Sequence, residues 1–148
     1  MRKFIDHADE RITSYMKKAG LPFLRYSIAL IFIWFGALKI VGMSSANELV
    51  SNTIYWFDPV WFVPFLGFWE IIIGLCFVYK PLLREGILLL LVQMAGTLLP
   101  LFILPGTVYG DIPILTLTLE GQYVIKNLVI IAAAIVIGSH VRDNEKKW

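Results

Sequence analysis

The sequence predicts an all-α membrane protein, folded as a single domain in which four transmembrane helices form an antiparallel bundle. Of its 148 residues, 58% are hydrophobic and 16% are charged, and the mean hydropathy is +0.74. A soluble domain of this length is less apolar. The apolar residues form four stretches, at about 21–43, 60–79, 82–104 and 120–141, each long enough to cross a hydrocarbon core of about 30 Å. Four helices of this size, joined by one short turn and two longer outer connectors, are expected to form an antiparallel bundle.

Residues 1–20 predict an amphipathic helix that lies on the membrane surface. The bases Arg11, Lys17 and Lys18 fall opposite an apolar stripe, which suits either the anionic lipids of a cytoplasmic leaflet or a partner protein. Gly20 is expected to end this helix, and Pro22 to open the first membrane helix. The stripe consists of Phe4, Ile5, Ala8, Ile12, Tyr15, Met16 and Ala19.

Both outer connectors are predicted to be structured. Residues Ser45 to Glu48 form an S-x-x-E capping box, which predicts a short outer helix between the first and second membrane helices. The aromatic cluster that follows, around Trp56 and Trp61, is typical of the headgroup level. Between the third and fourth helices, the alternating residues 112–119 predict an extended, strand-like segment within a structured loop.

The distribution of bases predicts that both termini are cytoplasmic. The connectors 42–60 and 105–121 contain no Lys or Arg, whereas eleven of the 13 bases lie in the N-terminal segment, the turn at 80–84 and the C-terminal tail. Basic residues concentrate on the cytoplasmic side of membrane proteins. The charged N-terminus lacks the apolar core and cleavage site of a secretory signal, so we expect it to be retained.

Glu70 places a carboxylate inside the second apolar stretch, where it needs a partner. Gly67, Glu70 and Gly74 are three and four residues apart, so they share a stripe on which another helix can approach closely. An unpaired carboxylate at this depth would take up a proton, whereas a nearby ammonium group would keep it ionised. We expect Lys126 of the fourth helix to be this partner, with Lys39 of the first helix arriving at similar depth.

Further polar residues lie near the ends of the membrane helices. We expect Arg25 to anchor the first helix at the interface, whereas Lys39 is open to either an anchoring or an inward role. Gln93 and Pro100 share one face of the third helix. Because proline frees a backbone carbonyl, Pro100 predicts either a packed kink or a wet cavity.

These residues allow two interpretations. In one, Glu70 and Lys126 only lock the second helix to the fourth. In the other, they are candidate catalytic residues of a small polar pocket that opens to the outside. The pocket would be formed by Lys39, Glu70, Gln93, Lys126 and Asn127, with Trp34, Phe35, Phe68 and Trp69 as walls. Aromatic residues at helical spacing more often pack or face lipid.

Four stretches carry a resemblance to a known family: RYSIALIFIWFGALKI at 25–40, LGFWEIIIGL at 66–75, QMAGTLLPLFILP at 93–105 and LTLEGQYVIKNLVIIAA at 117–133. Together they resemble the DoxX-like membrane proteins, including the YkgB-type branch, over about residues 24–137. The resemblance implies a four-helix protein of the bacterial inner membrane. Its characteristic polar positions would be Lys39, Glu70, Glu120, Gln122, Lys126 and Asn127.

Members of that family are associated with quinone-linked oxidation, as the small subunit of a thiosulfate:quinone oxidoreductase, or with oxidative-stress responses. The resemblance implies either a non-enzymatic subunit, scaffold or stress-response factor, or a quinone-interacting subunit. In the second case, Lys126 or Asn127 would donate to a quinone oxygen and Glu70 would accept a proton. We favour the first, because paired intramembrane charges need no chemistry to explain them.

The scarce thiol and imidazole groups limit the redox chemistry of this chain alone. Cys76 is the only cysteine, which excludes an internal disulfide and a dithiol cycle and leaves no zinc site. His7 and His140 lie in the flanks, so they cannot form an intramembrane haem site. A redox role therefore requires a bound quinone or a partner that carries the cofactor. The expected partners are the bilayer and a partner protein or further copies, not nucleic acid.

Overall fold

The computed structural model describes residues 2–112 and 115–145, with side chains described at 9–112 and 115–141. Within these residues the chain is nearly all helical and contains no β-strand, which confirms the predicted all-α class. The elements are α1 (Arg2–Ile40), α2 (Asn47–Thr53), α3 (Pro59–Val78), a 3-10 turn (Lys80–Leu82), α4 (Leu83–Thr97), α5 (Pro100–Ile103), α6 (Pro105–Val108) and α7 (Leu119–Glu145).

Four helical segments of the described chain are long and apolar enough to cross a membrane. They are Asp9–Ile40, Pro59–Val78, Lys80–Ile103 and Leu119–Val141, and they overlap the four apolar stretches of the sequence. Large apolar side chains on their outer surfaces are exposed, among them Phe68, Phe102 and Val129. A surface of this kind suits contact with lipid rather than water, and the chain is therefore a multi-pass membrane protein.

Helix α1 is continuous from Arg2 to Ile40, so the predicted end at Gly20 is wrong. Pro22 lies inside the helix. It removes only one backbone hydrogen bond, and the turns on both sides of it remain helical. The predicted amphipathic segment is thus the first half of α1, with Ile12, Tyr15 and Met16 exposed. The side chains of Phe4, Ile5 and Ala8 lie outside the described ones.

The core forms where α1 packs along α3, α3 contacts α4, and α4 contacts α7. The buried residues at these contacts are Ile28, Ala29, Phe32, Ile73, Phe77, Leu83, Leu90, Met94, Ala134 and Ile137. They are almost all aliphatic or aromatic, as expected for helices that associate by close packing inside a membrane. Each membrane-crossing segment contributes to this one cluster.

Glycines bring α1 and α3 into close contact. A Cβ atom built on Gly36 would lie 2.5 Å from the carbonyl oxygen of Gly67, and one built on Gly74 would lie 2.8 Å from that of Ala29. Real Cβ atoms do not approach backbone oxygens this closely, so the interface needs glycine at these positions. The close approach predicted along the Gly67 and Gly74 stripe is confirmed, and the helix that approaches is α1.

The third membrane segment is divided near Pro100, instead of forming one helix over 82–104. Helix α4 ends at Thr97 and α5 begins at Pro100. Proline offers no N–H to the Gly96 carbonyl oxygen, which instead accepts from the N–H of Leu99 at 3.2 Å. This tighter turn satisfies the oxygen within the chain. Since Pro100 is buried, this break between α4 and α5 lies in a packed environment.

The short helix α2 forms as predicted, but the capping box does not. Its N-cap is Ala46, which has no side-chain cap hydrogen bond, and the Ala46 N–H donates to Ser44 Oγ at 3.3 Å. The backbone already turns at this point, because the N–H of Asn47 donates to the carbonyl oxygen of Ser44. Ser45 therefore does not occupy the capping position, and the helix begins one residue later than its motif predicts.

The strand-like segment predicted at 112–119 is wrong for most of its length. Among the described residues, the loop has one isolated antiparallel bridge, between Tyr109 and Leu117. An extended segment needs a neighbouring strand, and here the preceding residues form α6. Thr118 holds the loop together by donating to the Thr107 carbonyl oxygen at 2.6 Å and accepting from the N–H of Gly121 at 3.1 Å. Residues 113 and 114 lie outside the described ones.

Candidate functional site

Three membrane-crossing segments each contribute one polar side chain to a buried cluster. Lys39 of α1 donates from Nζ to both carboxylate oxygens of Glu70 on α3, at 2.9 Å to Oε1 and 2.7 Å to Oε2. Gln93 of α4 donates from Nε2 to Glu70 Oε1 at 2.6 Å. The exposed fractions of Lys39, Glu70 and Gln93 are 7%, 7% and 6%. We call these three residues the polar triad.

The glycines of the α1 and α3 interface make room for Lys39. A Cβ atom on Gly67 would lie 2.9 Å from the Cβ of Lys39, so the base of the lysine side chain lies directly against the Gly67 backbone. Glu70 follows one helical turn later on the same face of α3, within reach of the ammonium group. Lys39 is also in the last turn of α1, where the helix dipole favours a cation. Local geometry and charge therefore both support this pair.

The prediction that an ammonium group pairs with Glu70 is confirmed, but the choice of Lys126 is wrong. Lys126 is exposed, and its Nζ lies 4.0 Å from the ring centroid of Tyr123, in a cation–π contact. Val124 is on the buried face of α7, and a residue two positions later points to nearly the opposite side of a helix. The spacing of three residues between Tyr123 and Lys126 could have indicated this contact from the sequence.

The other residues of the predicted pocket are not assembled around the triad. Asn127 is half-buried, and no hydrogen bond of the described residues joins it to Glu70. On α7, Glu120 and Gln122 are exposed. Trp34, Phe35 and Phe68 point outward, and Trp69 is half-buried with its ring centroid 6.3 Å from that of Phe65. The predicted aromatic wall therefore does not form, because Trp34, Phe35 and Phe68 lie on outer helix faces and Trp69 packs against the apolar core.

The predicted role of Arg25 as an anchor of the first helix at the interface stays a prediction. Its side chain is buried, and the guanidinium carbon lies 4.5 Å from the ring centroid of Tyr26. Lys39, for which the sequence leaves two roles open, takes the inward one. Gln93, which the sequence analysis places in the same polar pocket, donates a hydrogen bond to Glu70. The sequence thus identifies all three members of the triad, and the predicted pocket includes two further residues, Lys126 and Asn127, that do not join it.

The two lysines provide a direct test of this geometry. We expect Lys39→Met to destabilise the protein by about 3 kcal/mol, because it leaves the buried carboxylate without its cation. Lys126→Met should change stability little, because an exposed lysine loses only its contact with Tyr123. Thermal unfolding in lipid nanodiscs, followed by the fluorescence of the five tryptophans, measures both variants. Equal losses in the two variants would contradict the assignment of Lys39 as the partner.

The chemistry of the triad is that of a closed ion pair. Glu70 accepts three hydrogen bonds from two neighbouring helices, and its charge is balanced by one lysine. Such an arrangement joins helices inside an apolar core without leaving a net charge there. Comparisons of the chain with protein-family models, with curated proteins and with solved structures find no match.

Proposed function

We propose that this chain is a non-enzymatic membrane subunit or scaffold whose four helices form an antiparallel bundle locked by the polar triad. The observation that carries the proposal is the three hydrogen bonds that Glu70 accepts from Lys39 and Gln93, which belong to two different helices. A buried, hydrogen-bonded ion pair fixes how helices are aligned along one another. The triad would therefore hold α1 and α4 in fixed positions on α3, and the protein would act through its outer surfaces.

The positions of the triad residues along their helices support the antiparallel arrangement. Lys39 is in the last turn of α1, and Gln93 is four residues before the end of α4 at Thr97. Glu70, by contrast, lies near the middle of α3. If α1 and α4 run toward the outside and α3 runs toward the cytoplasm, these three positions lie at a similar depth in the membrane. The absence of bases from the connectors 42–60 and 105–121 supports a topology with both termini cytoplasmic. The resemblance to DoxX-like proteins implies that the membrane is a bacterial inner membrane.

Membership of the DoxX-like family is part of the same proposal. Lys39 lies in the FGALK segment and Glu70 in the WE-x-x-x-G segment that carry the resemblance. The exposed apolar residues Ile12, Tyr15 and Met16 in the first half of α1 support contact with the membrane surface or with a partner protein. A scaffold or stress-response subunit would use such a surface.

The position of Lys126 favours the scaffold over a quinone-interacting subunit. The redox alternative needs Lys126 or Asn127 to donate to a quinone while Glu70 accepts its proton. Lys126 instead contacts Tyr123 on the surface of α7, and Glu70 is occupied by Lys39 and Gln93. Lys126 and Glu70 are therefore not adjacent, and among the described residues Asn127 makes no hydrogen bond to Glu70.

A comparison of Glu70→Gln with Lys126→Met tests the proposed function. In the organism that carries the protein, we expect Glu70→Gln to lower its thermal stability and its yield in the membrane, with quinone-dependent respiration unchanged. Lys126→Met serves as the control and should leave stability and yield unchanged. Titration of the purified full-length protein with ubiquinone and menaquinone completes the test. Saturable binding that is lost in folded Glu70→Gln would overturn the scaffold in favour of a redox subunit.

A further inference from the structure

The polar triad keeps unused hydrogen-bonding capacity in its interior. Gln93 Oε1 is buried and has no donor among the described residues. Its orientation is determined chemically, because turning the amide would bring its oxygen against the Glu70 carboxylate, where Nε2 now donates at 2.6 Å. An ammonium group has three hydrogens, and Lys39 uses two of them on Glu70. One acceptor and one donor therefore remain close to the same carboxylate.

The charge of the triad restricts what could use these two groups. Lys39 and Glu70 neutralise each other at less than 3 Å, so an added cation or anion would bring an uncompensated charge into the core. A neutral hydroxyl group meets both requirements, because it donates one hydrogen bond and accepts another. A purely apolar molecule would leave Gln93 Oε1 without a donor, which costs free energy in a buried site.

The space around the triad is unequal on its two sides. Between α1 and α3 it is closed, since a Cβ atom on Gly36 or Gly67 would meet the opposite backbone within 2.6 Å. On α4, a Cβ atom on Gly96 would meet nothing within 4 Å. Gly96 is three residues after Gln93 and therefore lies on a neighbouring part of the same helix face. The surface of α4 beside Gln93 is therefore free of packed side chains at Gly96, which is itself exposed.

We propose that the polar triad is a binding site for one neutral hydroxyl group, which donates to Gln93 Oε1, accepts from Lys39 Nζ and enters beside Gly96. The hydroxyl belongs either to a water molecule or to a small lipophilic alcohol or phenol dissolved in the membrane. The site goes beyond the proposed scaffold role, because a protein can be locked by Lys39 and Glu70 without holding any molecule there.

The test uses the full-length protein extracted with its native lipids into nanodiscs. Native mass spectrometry detects a neutral organic molecule bound at one copy per chain. Infrared difference spectra between H₂¹⁶O and H₂¹⁸O detect an internal water through the shift of its O–H stretching band. We expect one of these two signals in the wild type. The same signal should be about tenfold weaker in Gln93→Met, because this variant lacks the acceptor oxygen.

Two further variants keep the result interpretable. Gln122→Met makes the same substitution at an exposed position of α7 and should retain the signal. Gly96→Leu leaves the triad side chains intact and closes the opening, so it should abolish the organic adduct or slow the exchange of the internal water. The absence of both signals in the wild type would overturn the proposal. It would also be overturned if the signal persisted unchanged in both Gln93→Met and Gly96→Leu.

Discussion

Glu70→Leu is expected to destabilise the folded bundle by about 3–5 kcal/mol, because it leaves the Lys39 ammonium group buried without a counter-charge. Both hydrogen bonds of Lys39 Nζ end on Glu70, and Gln93 Nε2 loses its acceptor in the same substitution. Reversible unfolding in mixed detergent and lipid, monitored by tryptophan fluorescence, measures the loss. Glu120→Leu removes an exposed carboxylate at the start of α7 and is the matched control, with little expected effect.

The double variant Lys39→Met/Glu70→Leu separates the lost ion pair from lost packing. Replacing both members of a buried pair by apolar residues of similar volume is often neutral or stabilising. We therefore expect the double variant to recover most of the stability that Glu70→Leu loses. If the loss of stability in the double variant equalled the sum of the losses in the two single variants, the two residues would not be coupled, contrary to the structure.

Gly67→Ala is expected to have the second large effect, a loss of about 3 kcal/mol from overpacking. The added Cβ would lie 2.6 Å from the carbonyl oxygen of Gly36 and 2.9 Å from the Cβ of Lys39. Because backbone atoms are involved, α1 and α3 must move apart, which also lengthens the contact between Lys39 and Glu70. The same unfolding measurement applies, and Lys39→Met in the Gly67→Ala background should then cost less than it does in the wild type.

Gly20→Ala is the matched control for this substitution. Gly20 also lies within a helix, but a Cβ atom there would meet nothing within 4 Å. Alanine is favoured over glycine in a helix by about 0.5–1 kcal/mol, so Gly20→Ala should be neutral or slightly stabilising. If Gly67→Ala matched Gly20→Ala in stability, the close contact of α1 with α3 would be refuted.

The sequence by itself determined the helical class, the four membrane segments and the need of Glu70 for a cation. Hydropathy over about 20 residues is a local property of the sequence. Inside a membrane, such an apolar stretch must form a structure that pairs its own backbone N–H and C=O groups, because no water there can bind them. The spacing of Gly67, Glu70 and Gly74 likewise places them on one face of a helix whatever packs there. These conclusions needed no knowledge of the neighbouring helix.

Only the tertiary structure decided which neighbour meets that face. Counting residues from the helix ends places Lys39 and Lys126 at similar depths, and depth alone cannot distinguish them. The rotation of each helix about its axis does distinguish the two lysines. This rotation is set by the packing of α1 on α3 and of α7 on α4. Gly36 and Gly67 turn Lys39 inward, whereas burial of Val124 turns Lys126 outward. The partner of Glu70 is therefore chosen by contacts between helices, which no single segment of sequence contains.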